Sequence, residues 1–240
     1  TLFIKTCYYP VTHQPTNNTM IKPDPELDKI LTALSLNVDN SVIETVEEYL
    51  RLLFKWHEQN NIISTRDRTY FLQRDFFDSL SMLSHLPKGP LLDIGTGAGI
   101  PGILLSFFRP DDHITLLDRR DNPIRFLEHV KLILKLENID IVKTDINKMI
   151  ITESPAAVIF KNFSNKVVSK LSFEAKLAYI VNMVRNNLGA TSKIFLLTGS
   201  NALILKDDMN KHCDSLKAKI DITKIETPYF DTNRYILEIT

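Results

Sequence analysis

The residues best suited to chemistry in this chain lie in one run, Asp93 to Gly102, which reads DIGTGAGIPG. Four of the seven glycines in 240 residues fall there: Gly95, Gly97, Gly99 and Gly102. Glycines at that density remove side chains where backbone turns sharply and let a ligand lie against the main chain. The run follows apolar Pro90, Leu91 and Leu92, so it has the form of a strand, a glycine-rich turn and a helix start. That arrangement is the entry to a nucleotide-type cofactor site in an open α/β sheet. Other chemistry is poorly provided for. His13, His57, His85, His113, His129 and His212 are scattered, and Cys7 and Cys213 have neither CxxC nor zinc-ligand spacing; no metal site is expected, and the thiols read as buried or idle.

Two readings of the loop compete. Gly97 to Gly102 satisfies GxGxxG, the dinucleotide fingerprint, whereas Asp93 to Gly99 satisfies DxGxGxG, the loop of S-adenosylmethionine-dependent methyltransferases. Register favours the second, because Gly95 stands where the first glycine after the strand belongs and Gly97 stands too late. An acid before the loop also suits a ligand that carries an ammonium group and no pyrophosphate. Asp118, at the end of the next strand, can accept hydrogen bonds from both ribose hydroxyls of an adenosine-containing cofactor; a solvated loop acid is the alternative.

The elements that must position these residues follow from hydrophobic periodicity. Residues 1–25 carry Pro10, Pro15, Pro23 and Pro25 among polar residues and read as an irregular arm. Residues 26–88 read as a helical region: Leu27, Ile30, Leu31 and Leu34 recur at helical spacing, as do Ile43, Val46, Tyr49, Leu50, Leu53 and Phe54, and a third helix is expected over 70–85. Residues 89–240 alternate strand and helix, the pattern of a parallel sheet. Strands are expected at 91–94, 114–117, 139–142, 157–160, 193–197, 218–225 and 235–239, with helices at 101–108, 122–136, 172–187 and 202–213. No helix fits between the last two strands, which predicts an antiparallel pair at the sheet edge, as in a seven-strand, Rossmann-like methyltransferase fold with an N-terminal helical region. Trp56, in an amphipathic helix, reads as core packing and not as a base-stacking platform.

With 29 basic and 29 acidic residues, the chain has no bulk electrostatic signature of a nucleic-acid binder, so such a role must rest on local clusters. Arg66, Arg68 and Arg74 form one, and Arg119, Arg120 and Arg125 another, both interleaved with Asp67, Asp75, Asp118 and Asp121; phosphate contact and a carboxylate-paired surface are equally open. The sequence contains no apolar run long enough for a membrane span or secretory segment, and a cytoplasmic protein is expected, with no membrane partner.

Three ordered segments together resemble the RsmG/GidB family, whose members methylate N7 of a guanine in bacterial 16S ribosomal RNA. They are LLFKWHEQNNIISTRD from Leu52 with RDFFDSL from Arg74, then DIGTGAGIPGILLS from Asp93, then LLDRRDNPIRFLEHVKLILKLENI from Leu116. The resemblance implies S-adenosyl-L-methionine as cofactor, bound by Asp93, Gly95, Thr96, Gly97, Gly99, Ile100, Asp118, Ile146, Asn147 and Lys161. It also implies 16S rRNA or the small ribosomal subunit as partner, with Lys161 and Arg234 facing the substrate, Arg66, Arg68, Arg74, Arg119 and Arg120 as RNA contacts, and a monomer.

Several positions depart from the family pattern. Asp75 stands where the family has His, Asp145 where it has Arg, Lys161 where it has Arg, and Thr198-Gly199 where it has Lys-Gly, while Arg234 keeps the family's Arg. Guanine N7 carries a lone pair and no proton, so its methylation needs no general base, only positioning and exclusion of water. The competing expectation is a divergent homologue that keeps the cofactor but acts on another substrate or serves as a binding protein.

Overall fold

A computed structural model describes residues 24–149, 153–161, 163, 168–189, 192–231 and 233–240. Residues 1–23 of the expected arm, Cys7 and His13 lie outside the described residues. The chain builds a seven-stranded sheet in the order β3-β2-β1-β4-β5-β7-β6, with β1 (Leu91–Ile94), β2 (Ile114–Asp118), β3 (Ile139–Lys143), β4 (Ala157–Lys161), β5 (Lys193–Thr198), β6 (Ile220–Ile225) and β7 (Arg234–Ile239). The first five are parallel, and β7 runs antiparallel to both β5 and β6. All seven expected strands form, and the helix-free ending gives the expected reversal. β1 and β4 are buried along their whole length, as central strands covered on both faces must be.

Strand alternation divides the core into two layers. Leu91, Ala157 and Ile159 face a layer built with the N-terminal helices α1 (Pro25–Ala33) and α2 (Asn40–Asn60), with α5 (Gly102–Phe108) and α6 (Asp121–Leu134). Leu92, Ile94, Val158 and Phe160 face the other layer, under α7 (Phe173–Leu188). The helical region therefore shares one core with the sheet. Trp56 packs against Phe126 and His129 of α6 and donates to Asn122 at 3.1 Å, so it joins α2 to α6 as core packing.

The third helix is not regular. Its chain passes from α3 (Arg68–Phe71) through a π-helical turn (Leu72–Phe76) into α4 (Phe77–Leu80), and turns follow where helix was expected up to residue 85. Phe71, Leu72, Phe76 and Phe77 are all buried. Their pairing at a spacing of five suits the i to i+5 hydrogen bonds of a π turn better than the α-helical period. The helix expected over 202–213 is likewise a 3-10 segment (Ser200–Asp208) that becomes α8 only at Met209–Leu216.

The N-terminal helices are fastened to the glycine loop. The buried Tyr49 hydroxyl of α2 donates to the Ala98 carbonyl at 2.8 Å, and the Tyr49 ring packs edge-on against Phe107 of α5. Tyr49→Phe leaves that carbonyl without its hydroxyl donor inside the core and is expected to lower stability by about 1 to 2 kcal/mol. Denaturant unfolding of the two proteins measures this, and equal midpoints would detach the helical region from the loop's support.

Candidate functional site

β1, β2 and β3 end at one edge of the sheet, and their carboxyl ends surround a pocket. Ile94 ends β1 and Gly95 follows it, Leu117 and Asp118 end β2 with Arg119 and Arg120 after them, and Thr144 to Asn147 follow β3. Phe163, Tyr179 and Met183 complete the wall toward β4 and α7. The backbone of Gly95 and Gly97 is left-handed, with φ of 76° and 58°, so side chains there would be strained. A Cβ on Gly95 would also stand 3.3 Å from the Phe163 ring. Backbone is thus laid bare to the pocket, the cradle a flat adenosine-type ligand needs.

Asp118 is buried beside that backbone. Its Oδ1 accepts from the Arg120 N–H at 2.9 Å and from Arg120 Nε at 3.1 Å. Its Oδ2 accepts from Arg120 Nη2 at 2.8 Å and from the Gly97 N–H at 3.1 Å. Burial alone would push its pKa up, but the guanidinium and the two backbone N–H groups outweigh that and hold the carboxyl below its usual range. Across the pocket, Asp145 Oδ1 accepts from the Asn147 N–H at 3.0 Å and its side chain at 2.8 Å, which fixes the 3-10 turn Ile146–Lys148 at the pocket rim.

Asp93 points the other way. Its Oδ2 accepts from Thr96 Oγ1 at 2.6 Å and from the Gly102 N–H at 2.8 Å. A Cβ on Gly102 would come within 2.2 Å of Leu116 Cδ2 and 2.7 Å of that same oxygen, so only glycine lets the start of α5 approach the carboxylate. Asp93 therefore shapes the loop from behind and is absent from the pocket lining. Gly99 and Ile100 donate through their N–H groups to the Thr96 carbonyl, each at 3.0 Å, and carry the turn into α5.

The remaining strands meet the same edge next to the pocket. Lys161 ends β4, and alternation with Ala157 and Ile159 directs it to the layer of the N-terminal helices, where its ammonium pairs with Asp75 of the π turn. β7 is reversed, with Tyr235 opposite Thr198 of β5, so Arg234 arrives at this edge too. Arg234 Nε donates to Asp78 Oδ2 at 2.8 Å, and Arg74 approaches the same oxygen at 3.9 Å. Burial pushes the Asp78 carboxyl up, opposed by Arg234, Lys161 and Arg74. Arg74 also lies over the Phe230 ring, 5.4 Å from its centre.

Of the residues singled out from sequence, Gly95, Asp118, Ile146 and Asn147 line the pocket together with Arg119 and Arg120. Gly97 joins through its bond to Asp118, Lys161 sits in the neighbouring half, and Asp93, Thr96, Gly99 and Ile100 support the loop. Among the proposed RNA contacts, Arg68 clamps α1 to α2 through Asp24 and Glu47, Arg119 lies 4.0 Å from Asp145, and Arg120 holds Asp118. Arg66 is exposed, close enough to His57 to help burial lower that imidazole's pKa. Phe163, Tyr179 and Met183 carried no signal in the sequence, since they reach the site from outside the ordered motifs. Among the described residues, no group of three or more His, Cys, Asp or Glu side chains could hold a metal ion, and no helix is long and apolar enough to cross a membrane.

Residues 42–220 match the family model GidB, described as rRNA small subunit methyltransferase G. The chain belongs to that family. A member from Pseudomonas fluorescens is 34% identical over 140 residues, 58% of this chain and 65% of its own length, and one from Methylobacillus flagellatus is 37% identical over 117 residues, 49% and 57%. The chain thus spans about six tenths of these curated relatives. A third, from Cronobacter sakazakii, is 31% identical over 189 residues, 79% of this chain and 84% of that one. Beyond the rRNA small subunit methyltransferase G proteins, the fold is similar to an S-adenosylmethionine-dependent methyltransferase from Aquifex aeolicus (11% identity, TM-score 0.51, covering 77% of this chain and 96% of that one). It is also similar to the glycopeptide N-methyltransferase MtfA complexed with S-adenosyl-L-homocysteine (11%, 0.53, 69% and 86%). At that identity the likeness shows the fold.

The loop carboxylate gives a pH test. Burial raises the Asp93 pKa to about 6, against the opposing bonds from Thr96 and Gly102, so the folded protein binds this proton more tightly than the unfolded chain. Its contribution to stability is present below the unfolded value of 3.8 and is lost as pH rises through about 6. Relative to Asp93→Asn, the wild type is expected to lose roughly 2 to 3 kcal/mol over that window and nothing further above it. Urea unfolding of both proteins at stepped pH checks this; parallel curves would contradict it.

Proposed function

We propose that this chain is an S-adenosylmethionine-dependent methyltransferase that acts on N7 of a guanine in 16S rRNA, in the cytoplasm. The observation that carries the reading is the division of one sheet edge into two halves. The ends of β1 to β3 offer bare glycine backbone beside a buried acid, and the ends of β4, β5 and β7 offer Lys161, Gly199 and Arg234. Phe163, two residues beyond Lys161, lines the pocket beside Gly95.

The pocket residues fit the cofactor. Asp118 would accept from its ribose hydroxyls, Gly95 and Gly97 would let it lie against the main chain, and Ile146 and Asn147 would border its base. When bound, S-adenosylmethionine supplies an electrophilic methyl group. The protein's own residues then have to orient the nucleobase and keep water out, since N7 brings its lone pair unprotonated. Phe163, packed edge-on against Phe160 at 5.3 Å between ring centres, is an apolar partition suited to excluding water. Lys161 and Arg234 are buried donors set by Asp75 and Asp78, so their positions are fixed before a base arrives.

One observation favours the second reading, a homologue that keeps the cofactor and takes another substrate. Lys161 and Arg234 are already paired with carboxylates, and Asp75 is an acid where the family carries His. Methyl transfer from labelled cofactor to undermethylated small subunits decides between the two. Transfer to a guanine of 16S rRNA is expected; cofactor binding without transfer would favour the second reading.

The cofactor assignment has its own test. Asp118→Ala should weaken S-adenosylhomocysteine binding by about 10- to 150-fold, the worth of roughly 1.5 to 3 kcal/mol for hydrogen bonds to a charged acceptor. Calorimetry on the folded variant measures it, and a change below about threefold would remove Asp118 from the site.

A further inference from the structure

The acid that should receive the ribose is already occupied. Both Asp118 oxygens accept from the Arg120 guanidinium, at 3.1 and 2.8 Å, in the two-pronged geometry that satisfies a carboxylate best. The two partners differ in freedom. The Asp118 side chain is 3% exposed and is also tied by the N–H groups of Gly97 and Arg120, so it stays. The Arg120 side chain is 63% exposed, so its guanidinium can turn into water and be hydrated there, while the buried carboxylate it leaves needs replacement donors, which ribose hydroxyls supply.

The chain is neutral overall, and the pocket wall carries two guanidiniums, Arg119 and Arg120, of which Arg119 lies 4.0 Å from Asp145. A guanidinium released from Asp118 would be new positive charge at the rim, and an RNA phosphodiester is the anion a planar guanidinium fits.

Resting on the reading above, we propose that Arg120 is a latch shared by cofactor and RNA. The cofactor's ribose hydroxyls replace the guanidinium on Asp118, the freed Arg120 takes a phosphodiester of the RNA, and each ligand thereby tightens the other. Linkage requires the coupling to be the same in both directions.

The test uses the whole chain, S-adenosylhomocysteine and a short single-stranded oligoribonucleotide, with wild type, Arg120→Ala and Asp118→Ala compared by calorimetry and fluorescence anisotropy. Arg120→Ala should bind S-adenosylhomocysteine up to about fivefold more tightly, because the competing ion pair is gone. In the wild type, saturating S-adenosylhomocysteine should strengthen RNA binding and steepen its salt dependence by about 0.7, one added phosphate contact on a single strand. Both effects should vanish in Arg120→Ala. The proposal is overturned if that variant binds S-adenosylhomocysteine no more tightly, if the wild type shows no coupling, or if the coupling persists without Arg120. Failure of the underlying cofactor reading looks different: Asp118→Ala would then bind S-adenosylhomocysteine as well as the wild type.

Discussion

A carboxylate kept from water beneath the glycine loop is the constraint on which the rest of this structure depends. Asp93 sits at the end of a strand buried on both faces, and ionising it there is costly. The chain offsets that cost with two donors, the Thr96 hydroxyl and the Gly102 N–H. One comes from the loop and the other from the first residue of α5, so the acid dictates the loop's path between them. Gly102 must lack a side chain for its N–H to approach, α5 must start at that point, and Leu116 of β2 must lie against it. Tyr49 then holds the outer side of the turn from α2. Sheet, loop and N-terminal helices are thereby fixed to one another, so the backbone of the glycine loop is held in place from both sides.

Along the carboxyl edge, three cations are matched by acids. Lys161 meets Asp75, Arg234 meets Asp78, and Arg120 meets Asp118. A chain with balanced charge offers a polyanion no bulk attraction, so local pairing along this edge matters more than net charge. The pairs differ in how readily they exchange, because Lys161 and Arg234 are buried whereas Arg120 is largely in water.

Much of this was legible in the sequence, for physical reasons. Buried parallel strands leave short apolar runs, and the absence of a helix after residue 225 left only an antiparallel return, so the sheet was readable strand by strand. The glycine loop was readable because steric freedom is a property of the residue itself. The pairs across the site were not. Asp75 and Lys161 stand 86 residues apart, and Asp78 and Arg234 156 apart, and no local spacing encodes a partner at that distance. The inward turn of Asp93 was hidden for a related reason: an acid before a glycine loop looks the same whether it faces a ligand or a helix start. The π turn at Leu72–Phe76 was concealed because consecutive apolar pairs satisfy several helical periods at once.

The reversal of β7 has a consequence for the order in which the site is made. Synthesis runs from the N-terminus, and domains assemble as their segments emerge. The residues that line the pocket at the ends of β1 to β3 have all been translated once Met183 of α7 has been added. Arg234 belongs to the last strand and reaches the edge only when that strand inserts between β5 and β6. The lining of that pocket is therefore encoded ahead of Arg234, and the two parts of the edge are brought together only by the insertion of β7.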